Sequence, residues 1–324
     1  MNISESTAVK IKADIKLDRS AFPPRGGIVS TGGHQVMNKA ADPKEISIIA
    51  EGIRLVTLQT LQSFGSGHVG GAMSVVETLA VLYGGELNCN PEDPQWAERD
   101  RLVMSKGHAG PALYATLSLR GFFPKEMLSD LNRGGGILPS HCDMNKTPGV
   151  DMTTGSLGQG MSTAIGIALG CRLNSSVSRT FLILGDGECD EGQVWEGALF
   201  AAHNKLSNLI AFVDNNKQQL DGFTKDVLDT GDLGEKFKAF GWRVFKVNGH
   251  NTGEILEAVR SAKLEPQLPS AIILDTIKGY GCNFAEGVEN NHHMAFTKEK
   301  MDEAIAAVTE RLETARAAVR GQGG

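Results

Sequence analysis

The sequence predicts an α/β protein: a doubly wound, mostly parallel sheet with helices on both faces. Two observations lead there. Apolar runs of strand length recur at 101–104, 181–184, 209–213, 242–247 and 271–277, with helix-patterned segments between them. That alternation is the signature of βαβ units. Two of the runs also stop abruptly in small polar clusters. Thr180-Phe181-Leu182-Ile183-Leu184 ends in Gly185-Asp186-Gly187, and Leu209 to Val213 ends in Asp214-Asn215-Asn216.

The elements follow in order. Residues 1–44 are polar, with Pro23-Pro24 and Gly26, Gly27, Gly32 and Gly33, and read as an irregular arm. The remainder, 45–324, reads as one domain without repeats or low-complexity linkers. Ile46, Ile49, Ile53 and Val56 form a helical stripe. A second helix is expected near Ser74, with Glu77 three residues on completing a capping box. Arg101 to Met104 is a short strand leading into Ser105-Lys106-Gly107-His108. Residues 158–173 form a helix of small residues suited to close packing on a sheet or a symmetry mate. Lys298 to about Arg320 is a charged amphipathic helix that closes the domain.

Composition bounds the function. The net charge of −6 is spread evenly and offers no basic stripe for nucleic acid. No apolar run approaches the roughly 18 residues needed to span a bilayer, and the N-terminus has no apolar core of a secretory signal. The five cysteines are scattered, without a C-x-x-C pair. They read as reduced thiols of a cytoplasmic protein rather than a disulfide framework or zinc site. Cys189 reads as a packed thiol.

In an open α/β sheet, ligands bind beyond the carboxyl ends of the strands. Asp186 and Asn216 are therefore expected to face one crevice. A carboxylate and an amide oxygen suit a small hard cation such as Mg²⁺, which takes further ligands from phosphates and water. Gly65-Ser66-Gly67-His68-Val69-Gly70 satisfies G-x-G-x-x-G. It follows a helical stripe rather than a strand, however, which argues against a nicotinamide dinucleotide site.

The wording between Gly185 and Gly222, GDGECDEGQVWEG followed by KLSNL, DNN and LDG, resembles transketolase, a thiamine-diphosphate-dependent family. The resemblance covers about residues 45–310 and implies the thiamine-diphosphate-binding fold. It implies that Asp186, Asn216 and the main-chain carbonyl of Gln218 hold Mg²⁺, with Ca²⁺ or Mn²⁺ as substitutes, and that Gly185 and Gly187 border the cofactor diphosphate. Ser-Gly-His68-Val-Gly-Gly is similar to the family's SGHPG, which places His68 beside the cofactor's reactive carbon and the sugar hydroxyls. Val69 departs from the family's proline. Ser105-Lys106-Gly107-His108-Ala109 implies a phosphate contact by His108. His141, in Pro-Ser-His-Cys-Asp, corresponds to a histidine on the donor sugar, with Cys142 and Asp143 departing from the family pattern. Thr154 to Gly160 is close to the family wording, so Gly155, Ser156 and Leu157 are implied to line the aminopyrimidine. A diphosphate-contacting histidine is implied at His292 or His293, with spacing favouring His292. Glu191 is either a link between cofactor sites through a subunit interface or a first-turn Glu favoured by the helix dipole.

The family's N1′-protonating glutamate lies on a second, pyrimidine-binding domain beyond the part resembled. The expectation is therefore the N-terminal subunit of a split transketolase, transferring a two-carbon ketol unit from a ketose or its phosphate to an aldose, in an α₂β₂ assembly with a C-terminal subunit. The departures at Val69, Cys142 and Asp143 point to an unusual pentose or branched sugar. The rival readings are another thiamine-diphosphate enzyme (a synthase or 2-oxo-acid dehydrogenase component) and a non-catalytic cofactor-binding or regulatory subunit.

Overall fold

The computed structural model describes residues 42–320. Residues 1–41, nearly all of the expected arm, lie outside the described residues, and Pro43 and Lys44 already belong to the first helix.

That helix, α1 (Pro43–Phe64), starts at an Asp42 cap whose carboxylate accepts the Lys44 N–H at 2.9 Å. It stops at Gly65, which takes the left-handed conformation with φ 89°. Ile46, Ile49, Ile53 and Val56 are all buried, as their spacing predicts. Ile53→Ala is expected to cost about 2–5 kcal/mol, since the site has no exposed surface into which to collapse. A urea titration that left the midpoint unmoved would contradict this packing.

The short strand β1 (Ser66–Gly67) and helices α2 (Val69–Met73) and α3 (Val76–Val81) follow, with one π-turn over Leu82–Glu86. The expected capping box does not form. Ser74 is the C-cap of α2 and α3 begins after Val75, with no side-chain cap. Both polar side chains are engaged at long range instead. The Ser74 hydroxyl donates to Asp214 at 2.7 Å, and Glu77 pairs with Arg54. A charged guanidinium outcompetes a neutral helix N–H for a carboxylate.

Then come β2 (Arg101–Met104), α4 (Gly110–Arg120), α5 (Gln159–Leu173), β3 (Thr180–Gly185), α6 (Gly192–His203) and β4 (Leu209–Asn215). A small hairpin, β5 (Gln218–Gln219) with β6 (Gly222–Phe223), precedes α7 (Thr224–Val227) and α8 (Leu233–Ala239). The chain continues with β7 (Arg243–Asn248), α9 (Thr252–Lys263), β8 (Ser270–Asp275), β9 (Met294–Ala295) and α10 (Lys298–Arg320). Strand β8 ends two residues earlier than its apolar run, so Thr276 and Ile277 leave the sheet.

The central sheet has the order β2-β3-β4-β8-β7, parallel throughout. Strand residues alternate between two cores. Leu102, Phe181, Ile183, Phe212 and Ile272 face the side of α1, α4, α9 and α10. Val103, Leu182, Leu184, Val213 and Ile273 face α5, α6 and α8. Helices thus cover both faces. Every strand runs toward the same edge, so the polar clusters after β2, β3, β4 and β8 arrive together. Outside this sheet, β1 pairs antiparallel with β9, Gly67 opposite Met294. That pairing carries His68 to the residues before β9.

Candidate active site

Four sequence-distant histidines meet at this edge. The ring centroid of His68 lies 5.7 Å from His108, 5.2 Å from His141, 5.4 Å from His292 and 4.9 Å from His293. His108 lies 4.5 Å from His292. The close approach of His108 to α2 requires glycine at position 71, where an added Cβ would stand 2.7 Å from the imidazole. His292 and His293 are both present, but His292 is half-buried between His108 and Lys278, whose Nζ is 3.4 Å from Nδ1, whereas His293 is exposed.

Burial and their neighbours keep these rings neutral. Burial, with the adjacent His141, lowers His68 to about 4. Burial and the Lys278 charge lower His292 to about 3. His108 is pushed down by burial and by Lys106, and His141 by burial. A neutral imidazole offers one donor and one acceptor, which suits sugar hydroxyls and phosphate oxygens alike.

Beside the histidines lies a second group, built of oxygens. Asp186, just after β3, accepts the N–H of Gly187 at 2.9 Å and of Lys217 at 2.5 Å. This second bond sets its carboxylate against the turn Asn216–Gln218. Asn216 gives its amide N–H to Asp214 at 2.7 Å, so its Oδ1 is turned toward the turn, accepting the Gln218 N–H at 3.0 Å. Gly187 packs under this turn, where an added Cβ would fall 2.5 Å from Gln219. Burial, with Asp214 nearby, raises Asp186 to about 7. A divalent ion beside this buried carboxylate would favour its charged form. Among the described residues no group of three or more His, Cys, Asp or Glu is arranged around a metal position. One carboxylate, one amide and one main-chain carbonyl make a different kind of set, the hard-oxygen kind that suits Mg²⁺ with phosphate oxygens as further ligands. The residues present therefore fit the group.

Several site residues carry no role in the sequence reading. Asp214 is fully buried and accepts from Ser74, Thr276, Asn216 and the Lys106 ammonium. Burial opposes its charge, but Lys106 and these donors outweigh it and hold the carboxyl below its usual range. Glu188 is a second buried anchor. It accepts from the Ser105 hydroxyl, from Gly158 N at 2.9 Å and from Gly185 N at 3.1 Å. It thereby ties the 154–158 loop to the turn after β3. Lys278 points into the cluster with main-chain carbonyls for partners, Gln219 at 3.2 Å and Gln218 at 3.5 Å. Burial, then the nearby Lys106, lowers it to about 8. Lys106 stands inside the Ser-Lys-Gly-His motif, and Lys278 follows β8. Neither type nor spacing distinguishes them from surface lysines.

The remaining candidates border the same edge. Thr154 N donates to Cys142 O at 3.0 Å, and Gly155 lies against the His141 ring. Ser156 and Leu157 are exposed and face outward. Glu191 is the N-cap of α6, exposed, and makes no capping bond, so the helix-terminus reading gains no hydrogen bond. Cys189 is buried, its thiol pushed far up by burial and three neighbouring carboxylates, as a packing residue would be.

Residues 46–312 match the family described as transketolase, thiamine diphosphate binding domain. The chain belongs to the transketolase family. It is 52% identical over 254 residues to the 6-deoxy-6-sulfo-D-fructose transketolase subunit SqwG of Clostridium sp. (strain MSTE9), covering 78% of this chain and 92% of that one. It is 36% identical over 248 residues to an apulose-4-phosphate transketolase subunit of Phocaeicola vulgatus, covering 76% and 88%. The crystal structure of Pichia stipitis transketolase complexed with sedoheptulose 7-phosphate superposes with a TM-score of 0.75 at 28% identity, covering 86% of this chain and 45% of that one. The chain thus spans a little under half the length of that transketolase and most of the length of the two separate subunits. It corresponds to the N-terminal subunit of a split transketolase, a transketolase-type transferase that binds thiamine diphosphate. The relatives do not favour the synthase, dehydrogenase or regulatory readings. Among the described residues no helix is long and apolar enough to cross a membrane.

Proposed function

We propose that this subunit binds Mg²⁺ through Asp186, Asn216 and the Gln218 carbonyl, and through it the diphosphate of thiamine diphosphate, with Ca²⁺ or Mn²⁺ able to substitute. Thiamine diphosphate, when bound, carries the two-carbon unit from donor to acceptor. Gly185 and Gly187 give the diphosphate close main-chain approach. His108, His292 and the Lys278 ammonium donate to its oxygens. Gly155, Ser156 and Leu157 line the aminopyrimidine. His68, His141 and His292 orient the ketose and move protons at its hydroxyls, and Glu191 reaches toward a neighbouring subunit. The observation that carries this reading is the meeting of four histidines with the Asp186–Asn216 turn at one sheet edge.

A second subunit, carrying the pyrimidine-binding domain and its glutamate, completes the centre, and the assembly is α₂β₂ in the cytoplasm. For the donor we favour 6-deoxy-6-sulfo-D-fructose, since the 52% identical relative is named for it; a ketose phosphate such as apulose 4-phosphate is the second choice. The test mixes the purified chain with that subunit, MgCl₂ and thiamine diphosphate. The chain alone is expected to show no turnover and the mixture ketol transfer, with the sulfosugar preferred over fructose 6-phosphate and apulose 4-phosphate. Full activity of the chain alone would refute the two-subunit reading, and a preference for either phosphate would refute the choice of donor.

A further inference from the structure

The segment 276–281 carries Lys278 into the histidine cluster, where, among the described residues, its ammonium forms no salt bridge and meets main-chain carbonyls instead. What fixes it lies behind the segment. His250, two residues past β7, accepts the Ile277 N–H on Nε2 at 2.9 Å. An Nε2 that accepts has no proton, so the ring proton is on Nδ1, which faces Glu77 Oε2 at 3.4 Å. The other oxygen of Glu77 pairs with Arg54. Arg54 in turn donates through Nη1 to the Tyr280 carbonyl at 2.6 Å and the Met73 carbonyl at 3.2 Å. The His250 ring also stacks on Tyr280, centroids 3.6 Å apart and planes 16° apart.

Arg54 has no exposed surface, and Glu77 is 4% exposed. One buried unit therefore holds the main chain at Ile277 and again at Tyr280, bracketing Lys278 and Gly279. On the side of the site, Gly279 N–H donates to Gly70 O at 3.0 Å and Asn291 donates to Lys278 O at 3.1 Å. The Arg54 charge is met by Glu77 and, at 3.6 Å, by Glu51, and His250 spends both ring nitrogens on this unit. The chemistry available to the cluster is therefore orientation. We propose that His250, backed by Glu77 and Arg54, is a positioning residue for Lys278, pinning the segment that presents its ammonium to the cofactor's diphosphate. This rests on the reading of Lys278 as a diphosphate contact.

The test uses the reconstituted two-subunit enzyme, titrating thiamine diphosphate at fixed MgCl₂. His250→Ala is expected to raise the half-saturating cofactor concentration roughly tenfold, as loss of an orienting partner does elsewhere, with kcat at saturation within about twofold. His250→Gln places an amide oxygen near the position of Nε2 and is expected to restore affinity. His250→Asn is one bond shorter and is expected to behave like His250→Ala. Lys278→Met is expected to weaken cofactor binding, and adding His250→Ala to it to bring no further loss. If His250→Ala fails to fold, the Gln and Asn variants decide. Losses that multiply in the double variant, or equal losses for Gln and Asn, overturn the positioning role alone. Unchanged affinity in Lys278→Met overturns the reading of Lys278 and the proposal with it.

Discussion

Asp186→Asn is expected to abolish Mg²⁺-dependent cofactor binding and to cut turnover of the reconstituted enzyme by roughly 10³-fold, a transition-state loss of about 4 kcal/mol. Gly187 N–H and Lys217 N–H go to different carboxylate oxygens, so the substitution keeps the shape and one of the two acceptors, and removes the charge. It removes a charge that the cation-free protein holds at a cost. Burial and the neighbouring Asp214 raise the carboxyl to about 7, so ionising it at neutral pH works against the fold. Relief of that charge offsets the one hydrogen bond lost, so the thermal midpoint without cofactor is expected to stay close to the parent's in Asp186→Asn. The stabilisation by MgCl₂ plus thiamine diphosphate expected of the parent should disappear. Asp186→Ala would leave both N–H groups unsatisfied where Asn leaves one, and so would mix charge with hydrogen bonding more severely. Calorimetry that found undiminished cofactor affinity in the Asn variant would remove Asp186 from the site.

The parts legible in the sequence are those with a short-range cause. Five strands read correctly because each is an apolar run paired into one parallel sheet, and the two polar strand ends mark the crevice because parallel strands all point one way. The stripe of α1 is likewise a matter of period. The capping box at Ser74 fails because its competitors, Arg54 and Asp214, lie far away in the chain and periodicity cannot see them. The convergence of His68, His108, His141 and His292 is implied by resemblance alone. The physical agents are the β1–β9 pairing, which brings 68 to 292, and the shared edge of β2, which brings 108. Asp214 carries no role in the Asp-Asn-Asn wording, for its partner Lys106 is 108 residues away. Buried charge is a property of the fold and leaves no local mark.

That pair supports the second large effect. Lys106→Met is expected to lower the thermal midpoint by roughly 10 °C. Lys106 and Asp214 are almost wholly inaccessible, 1% and 0% exposed. Taking away the cation leaves the carboxylate with neutral donors only, from Ser74, Thr276 and Asn216. Breaking such a pair from one side costs about 3–5 kcal/mol, and a chain of this size loses about 2–4 °C per kcal/mol. Asp214 also takes the Asn216 amide N–H and so leaves Oδ1 of Asn216 turned toward the Asn216–Gln218 turn, so the injury is expected to reach cofactor binding as well. The two effects separate in Lys106→Met/Asp214→Asn. With the orphaned charge gone, most of the midpoint should return, because replacing both members of a buried pair by neutral groups is far milder than removing one. Cofactor affinity should not return, because an amide at 214 no longer attracts the Asn216 N–H as a carboxylate does. If the double variant melts as low as Lys106→Met, the stability loss comes from the packing of the lysine stem and not from the charge. If it regains cofactor affinity, Asp214 has no part in orienting Asn216, and the oxygen set at the strand ends is held by the turn alone.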